Sequence, residues 1–299
     1  MNEFKTGVWQ MCLAMLISGS IGAFVLLSGL PVIDVVFWRC AIGAAALGFF
    51  ILVSKQPFSH FKRSMLLLSV IGGVALVINW LLLFAAYDQI SIGMSTVVYN
   101  TQPFMLVLIG VFMGERVTLI KWGWLLLAFS GVVILLSSEL ITAHNANLIT
   151  GIAMALGAAF FYALTAIIAR KLRPHPPQHI AFIQVLVGVV ILLPLTHFVA
   201  LSDNFPWRIL LTLGIVHTGV MYQLLYGAIQ KLPTPIIGSL SFIYPLVAVT
   251  VDSLMFGHTL SIVQFIGGVL ILLAAAGNNL GWGTKEKAPL SQGLEHKTR

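Results

Sequence analysis

One arginine, Arg39, stands inside a long apolar run. A charge at such depth is costly, and it marks either a functional site or a buried pair. The functional chemistry would be attraction of a substrate carboxylate. The structural alternatives are an ion pair, with Asp34 five residues earlier or with Asp252, and an arginine that caps backbone carbonyls. His217 lies near the middle of another apolar run. An imidazole with an ordinary pKa of about 6.5 suits proton exchange, and it serves equally as a hydrogen-bonded packing residue. Asp252, close to the end of its run, is a candidate proton or cation site. His217 and Asp252 are therefore the two candidates for coupling transport to an ion.

Uncharged polar and aromatic residues recur at similar depth: Asn79 and Trp80; Tyr99, Asn100 and Gln102 beside Pro103; Tyr162; Tyr222; and Tyr244 beside Pro245. Asn79, Asn100 and Gln102 can bond a carboxylate, an amine or an amide. Trp80, Tyr99, Tyr162, Tyr222 and Tyr244 can stack on a planar or apolar ligand. Taken singly, each also reads as a contact between helices; the clustering favours a binding wall. Pro103 and Pro245 each remove a helix hydrogen bond and are candidate hinges.

Enzyme signatures are missing. The sequence holds no H-E-x-x-H, no paired-cysteine motif and no Walker loop. Ser18-Gly19-Ser20-Ile21-Gly22 lacks the first glycine of a nucleophile elbow. Cys12 and Cys40 both fall in apolar runs and read as small buried residues. No cofactor and no metal is called for. Without an ATP site, transport would draw on a gradient or on exchange.

The elements that must position these residues follow from composition. Of 299 residues, 59% are hydrophobic and 8% charged, against roughly 25% charged in soluble domains. The surface must therefore face lipid. A membrane span needs about 20 apolar residues, and ten such runs can be drawn, at roughly 8–28, 33–53, 65–87, 92–113, 118–137, 150–170, 178–200, 207–229, 234–256 and 261–280. Their length and the lack of two-residue alternation predict helices rather than a barrel. With the N-terminus in the cytoplasm, 14 Lys and Arg fall in inside loops and ends, against Arg208 alone outside. That bias places both termini in the cytoplasm. The net charge of +7 is spread over these short loops and the tail, so nucleic acid is not expected as a partner.

The sequence also states one pattern twice. Tyr99-Asn100-Thr101-Gln102-Pro103 leads to Met113-Gly114-Glu115, and Ser241-Phe242-Ile243-Tyr244-Pro245 leads to Phe256-Gly257-His258. A polar cap follows each, Thr118 and Ser261. Gly7 pairs with Gly151, Pro31 with Pro176, Gly43 with Gly188, and Ala86 with Ala228, at spacings of 142 to 145 residues. The expected organisation is a five-span repeat over 1–140, a second over 145–282, and a polar cytoplasmic tail over 283–299. Five is odd, so the copies must cross in opposite senses, the inverted-repeat plan of many secondary transporters. The fold class is thus an all-α membrane protein of ten transmembrane helices in two inverted five-helix repeats.

This organisation resembles the EamA-like branch of the drug/metabolite transporter superfamily. The resemblance rests on the two five-span halves, on Phe37-Trp38-Arg39 early in the second span, and on the proline-centred fourth span leading to Met113-Gly114-Glu115-Arg116-Val117-Thr118. It covers about residues 7–280. The chain departs from the family pattern at Gly257-His258 and at Ser18-Gly19. The resemblance implies a transporter of small metabolites, often amino acids and often outward, in the bacterial inner membrane. The expected function is a secondary transporter working by alternating access, an amino acid or related carboxylate being the favoured cargo. The alternatives are a lipid flippase, a non-transporting membrane partner or, less readily, an intramembrane enzyme. Expected partners are the small-molecule substrate and membrane lipid. A monomer suffices, since both halves share one chain, and a dimer stays open.

Overall fold

The computed structural model describes residues 3–54, 63–112, 114, 118–140, 146–172, 175–197, 205–232, 240–241, 243–258 and 260–283. Among them every regular element is helical. The elements are α1 (Glu3–Leu27), α2 (Val32–Val53), α3 (Arg63–Tyr87), α4 (Ile92–Tyr99), α5 (Gln102–Phe112), α6 (Leu119–Leu140), α7 (Ala146–Lys171) and α8 (Pro177–Leu192). A 3-10 turn (Leu193–Leu195) extends α8. Then come α9 (Trp207–Leu211), a π-helical segment (Thr212–Val220), α10 (Met221–Lys231), α11 (Ile243–Phe256) and α12 (Ile262–Leu280). Residues 284–299, nearly all of the expected tail, lie outside the described residues, as do Met113, Glu115, Arg116, Val117 and Phe242 of the repeated motif.

Among the described residues, six helical stretches are long and apolar enough to cross a membrane: Glu3–Leu27, Val32–Val53, Arg63–Tyr87, Asn147–Ala169, Gln178–Leu195 and Trp207–Leu225. Three shorter apolar stretches, Leu119–Ile134, Ile243–Phe256 and Ile262–Asn278, accompany them. Large apolar side chains stand on the outside of the bundle, with Phe112 90% and Ile262 79% exposed. In water such a surface would aggregate; in lipid it is the expected coat.

The interior is organised by pairs. α3 runs along α7, and α1 along α10; α2 packs on α8, α6 on α12, and α4 on α11. α1 also meets α11, while α4 and α5 meet α7. α2 crosses the π segment, and α3 crosses α8. Glycines set the closest crossings. A Cβ on Gly43 of α2 would lie 2.6 Å from Thr218 Cγ2, and one on Gly188 of α8 would lie 2.5 Å from Cys40 Sγ. Gly72 and Gly73 likewise press against Gln184, Ile168 and Val187. Packing is thus the role of these small residues, which let helices approach without a hydrophobic driving force between them.

The repeated motif has a local explanation. Gly114 and Gly257 take φ values of +86° and +70°. Each stands just past a helix end, in the left-handed region that glycine enters without cost. The polar caps serve the helices that follow. Thr118 Oγ1 accepts from the Lys121 N–H at 3.4 Å. Ser261 and Gln264 form a reciprocal capping box at the start of α12.

Two elements depart from straight spans. The run expected as one helix over 92–113 is divided at Asn100 and Thr101 into α4 and α5. Pro103 has no N–H to offer the Tyr99 carbonyl, which is the bond that would have joined the two. The run over 207–229 contains nine π-helical residues. There the Met221 N–H reaches back to Val216, and the Thr218 hydroxyl donates to the Leu213 carbonyl at 3.0 Å. Both are five-residue spans.

Candidate functional site

Arg39 is 1% exposed. Its Nε donates to Thr218 Oγ1 at 3.0 Å, and its Nη2 to the His217 carbonyl at 3.3 Å. Its guanidinium carbon lies 4.1 Å from the centre of the Trp80 ring and 5.5 Å from that of Phe84. Nη1 is buried and has no hydrogen-bond partner among the described residues.

Neither expected ion-pair partner is engaged with Arg39. Asp34 accepts from the His197 backbone N–H at 3.1 Å. Asp252 accepts from the Gly93 N–H at 3.0 Å, in the first turn of α4, and from His258 Nδ1 at 2.9 Å. Arg39 therefore balances its charge with a carbonyl, a hydroxyl and aromatic faces. A buried ion costs several kcal/mol to desolvate. A desolvated cation–π contact returns about 2 kcal/mol, and a hydrogen bond to a charged group roughly 1.5–3 kcal/mol. These terms come close to offsetting one another, so the cation is tolerated with one donor edge unspent.

The aromatic and amide residues gather around it from both halves of the chain. Trp80 meets Tyr222 edge-on, with centroids 6.5 Å apart. Next to Trp80 on α3, Asn79 donates through Nδ2 to the Tyr99 hydroxyl at 3.0 Å and to the Ala158 carbonyl at 2.7 Å. Its Oδ1 is buried and unpartnered among the described residues. Tyr99 meets Tyr162 at 5.9 Å and Tyr244 at 6.4 Å, both edge-on. Tyr162 keeps 37% of its surface accessible beside Tyr99. Arg39, Asn79, Trp80, Tyr99, Tyr162, Tyr222 and Tyr244 thus form one connected group on α2, α3, α4, α7, α10 and α11.

Asn100 and Gln102 sit at the break between α4 and α5. Asn100 donates its amide to the Thr96 carbonyl at 2.7 Å, which ties off the end of α4. Gln102, half-buried, opens α5. The side chain of Pro103 lies outside the described residues. Pro245 is buried in the first turn of α11, where a missing N–H costs least. His217 is held on both ring nitrogens. Nδ1 faces the Thr212 carbonyl at 3.2 Å, Nε2 faces Ser20 Oγ at 3.0 Å, and Phe24 packs on the ring at 4.8 Å. Asp252 is buried, whereas the His258 side chain beside it is 51% exposed.

Sequence reasoning missed several members of the group. Thr218 and Phe84 contact Arg39 directly, and Tyr87 brings its hydroxyl to that of Tyr244 near Thr96. Tyr87 was visible as a polar aromatic at the end of an apolar run. Thr218 carried no signal beyond its position next to His217.

The family model for the EamA-like transporter family matches residues 5–137 and again 149–280. An uncharacterized transporter, YxxF, of Bacillus subtilis is 31% identical over 279 residues, covering 92% of this chain and 90% of the relative. The threonine/homoserine exporter RhtA of Salmonella typhimurium is 26% identical over 288 residues, covering 92% and 93%. A solved crystal structure, 18% identical, superposes with a TM-score of 0.64 over 91% of this chain and 96% of its own. That likeness concerns the fold alone. With a doubled family match across nearly its whole length, an apolar helical bundle and a buried polar group drawn from both halves, the chain belongs to the EamA-like transporter family: an integral membrane transporter, not an enzyme.

Proposed function

We propose that the protein exports a small metabolite carrying a carboxylate, an amino acid or a close relative, across the bacterial inner membrane by alternating access. The observation that carries this reading is the buried Arg39 guanidinium, which among the described residues has no carboxylate partner and one unspent donor edge. A substrate carboxylate would complete it. The Asn79 Oδ1, also unspent, would accept from a substrate ammonium. Trp80, Tyr99, Tyr162, Tyr222 and Tyr244 would wall the rest, and Asn100 and Gln102 would lie at the break in the fourth span. The relative named as a threonine/homoserine exporter supports both the substrate class and the outward direction.

The architecture in this proposal is ten spans in two inverted repeats, over 1–140 and 145–282. α4 with α5 makes the fourth span, α8 with its 3-10 turn the seventh, and α9, the π segment and α10 the eighth. Exchanging the halves then turns the helix pairings into themselves. α3 on α7 becomes α10 on α1, α2 across the π segment becomes α8 across α3, and α4 on α11 maps onto itself. Such self-mapping supports a two-fold relation, with the site between the repeats. The break at Asn100 and Thr101 and Pro245 serve as hinges. The Lys and Arg bias supports cytoplasmic termini. Of the two coupling candidates, Asp252 has a route to water through half-exposed His258, whereas His217 is enclosed.

Purified protein in liposomes, loaded with labelled L-amino acids and small carboxylates, tests the proposal. The expected result is gradient-dependent movement of at least one amino acid, lost in Arg39→Gln. Absence of movement across the panel, or full transport by Arg39→Gln, would overturn it.

A further inference from the structure

The edge of Arg39 that is already spent defines the edge left for substrate. Nε and Nη2 form the side-on edge of a guanidinium, the one that usually takes a carboxylate bidentately. Here Thr218 Oγ1 and the His217 carbonyl occupy it, at 3.0 and 3.3 Å. Nη1, the far donor, has no partner among the described residues. The guanidinium plane is fixed independently by the Trp80 face at 4.1 Å.

Thr218 accepts from Arg39 while its own proton goes elsewhere. It donates to the Leu213 carbonyl, five residues back, at 3.0 Å. The π geometry of Thr212–Val220 brings that carbonyl within reach, and single π turns in helices recur at functional sites. The segment is pinned from two sides. On the α2 side, Gly43 admits the Thr218 methyl and Gly214 admits Ile42. On the α1 side, Ser20 holds His217 Nε2, while Nδ1 donates to the Thr212 carbonyl.

We propose that Thr218, set by the π segment, is the positioning residue for Arg39: it holds the side-on edge of the guanidinium and so presents the end-on Nη1 edge to the substrate carboxylate. The inference rests on the carboxylate reading of Arg39 given above. It assigns a role to a residue that itself does not touch substrate, and it makes the π segment part of the binding apparatus.

The test uses full-length protein in liposomes and whichever common L-amino acid the parent exchanges fastest, together with the methyl ester of that amino acid. The readout is the ratio of half-saturation concentrations, acid against ester, in the parent, Thr218→Val, Thr218→Ser and Arg39→Gln. Valine keeps the shape of threonine and removes the acceptor. A guanidinium free to turn from the end-on presentation loses its hydrogen bond to the carboxylate, and one bond to a charged group corresponds to about 10-fold in affinity. Thr218→Val is expected to raise half-saturation for the acid about 10-fold while leaving the ester and the maximal rate within about twofold, and Thr218→Ser to restore the parent value. A variant that merely loosened the bundle would shift acid and ester together, and that outcome overturns the proposal. If Arg39→Gln abolishes the acid preference while Thr218→Val behaves as the parent, the positioning role falls and the carboxylate reading stands. If the parent shows no acid preference, or exchanges no amino acid, both fall.

Discussion

Arg39 and Gln184 stand 145 residues apart, the spacing at which the sequence pattern recurs, and the protein treats them differently. Both are buried, at 1% and 0% exposure. Arg39 has a hydroxyl, a carbonyl and an indole face. Gln184 has neither amide atom bonded among the described residues, and it lies so close to α3 that a Cβ on Gly72 would come 2.8 Å from its Nε2. The cause lies in the helix each one faces. Arg39 faces a π segment, whose Thr218 hydroxyl and His217 carbonyl both accept from it. Gln184 faces α3, a continuous α-helix from Arg63 to Tyr87, whose interior carbonyls are all committed. A neutral amide left unpaired costs about 1–3 kcal/mol, whereas an unpaired buried cation costs several kcal/mol. The charge therefore sits where the helix supplies acceptors. The sequence pattern recurs, and acceptors for a charge are found at one of the two places.

Exchanging the residues breaks this comparison most sharply. Gln184→Arg would bury a cation against α3 with no acceptor to meet it, and we expect a loss of about 3–5 kcal/mol. Thermal unfolding in detergent, or failure to recover monodisperse protein, measures that. Arg39→Gln is expected to keep the fold and lose transport. If Gln184→Arg proved as stable as the parent, the acceptor argument would be wrong.

The glycine pair gives the next effect. Gly43→Ala and Gly188→Ala stand at equivalent positions, with new Cβ atoms 2.6 Å from Thr218 and 2.5 Å from Cys40. Overpacking of this kind costs about 1–3 kcal/mol, and unfolding midpoints should fall alike in the two variants. Transport should separate them, because only Gly43→Ala presses on Thr218, the acceptor of the Arg39 Nε bond. Equal loss of transport in both would remove the functional difference between the halves.

Arg39→Lys sharpens the same point from the side of geometry. An ammonium keeps the charge but cannot hold Thr218 and the His217 carbonyl in one plane while facing a substrate with a third nitrogen. Half-saturation for the carboxylate substrate is expected to rise about 10-fold, with stability reduced by less than in Gln184→Arg. Lysine transporting as well as arginine would mean that charge alone suffices.

Much of this was legible before the structure. The apolar runs, the duplicated glycines that end helices, the caps Thr118 and Ser261, and the depth of Arg39 all follow from local physics that a one-dimensional pattern records. The grouping of Asn79, Trp80, Tyr99, Tyr162, Tyr222 and Tyr244 was legible as a set because each carries an amide or a ring with a polar atom deep in an apolar run. Partnerships were not legible. Asp34 and Asp252 looked like ion-pair candidates for Arg39 because they carry the right charge, yet each is committed to a backbone N–H of another segment. The π segment gave no warning either. Gly214 and Gly219 are as compatible with an ordinary helix, and the close packing of the segment on α2 at Gly43 and Ile42 is a tertiary feature that a sequence pattern does not record. Asn100, read as part of a binding wall, turns its amide back to Thr96 because the helix ends there.

The smallest effect is the most discriminating. Gln184→Met keeps the length of the side chain and removes an amide that bonds nothing among the described residues. Replacing an unsatisfied buried polar group by an apolar one of the same shape is neutral or stabilising, so the unfolding midpoint should hold or rise, by up to about 1 kcal/mol in stability. Transport and the acid preference should match the parent, since Gln184 faces Gly72 and Ile168 rather than the Arg39 group. If Gln184→Met instead cut transport as deeply as Arg39→Gln, the amide would be a ligand in another state of the cycle. The two halves would then contribute one polar group each to the substrate, and the asymmetry between Arg39 and Gln184 would describe one conformation rather than a division of labour.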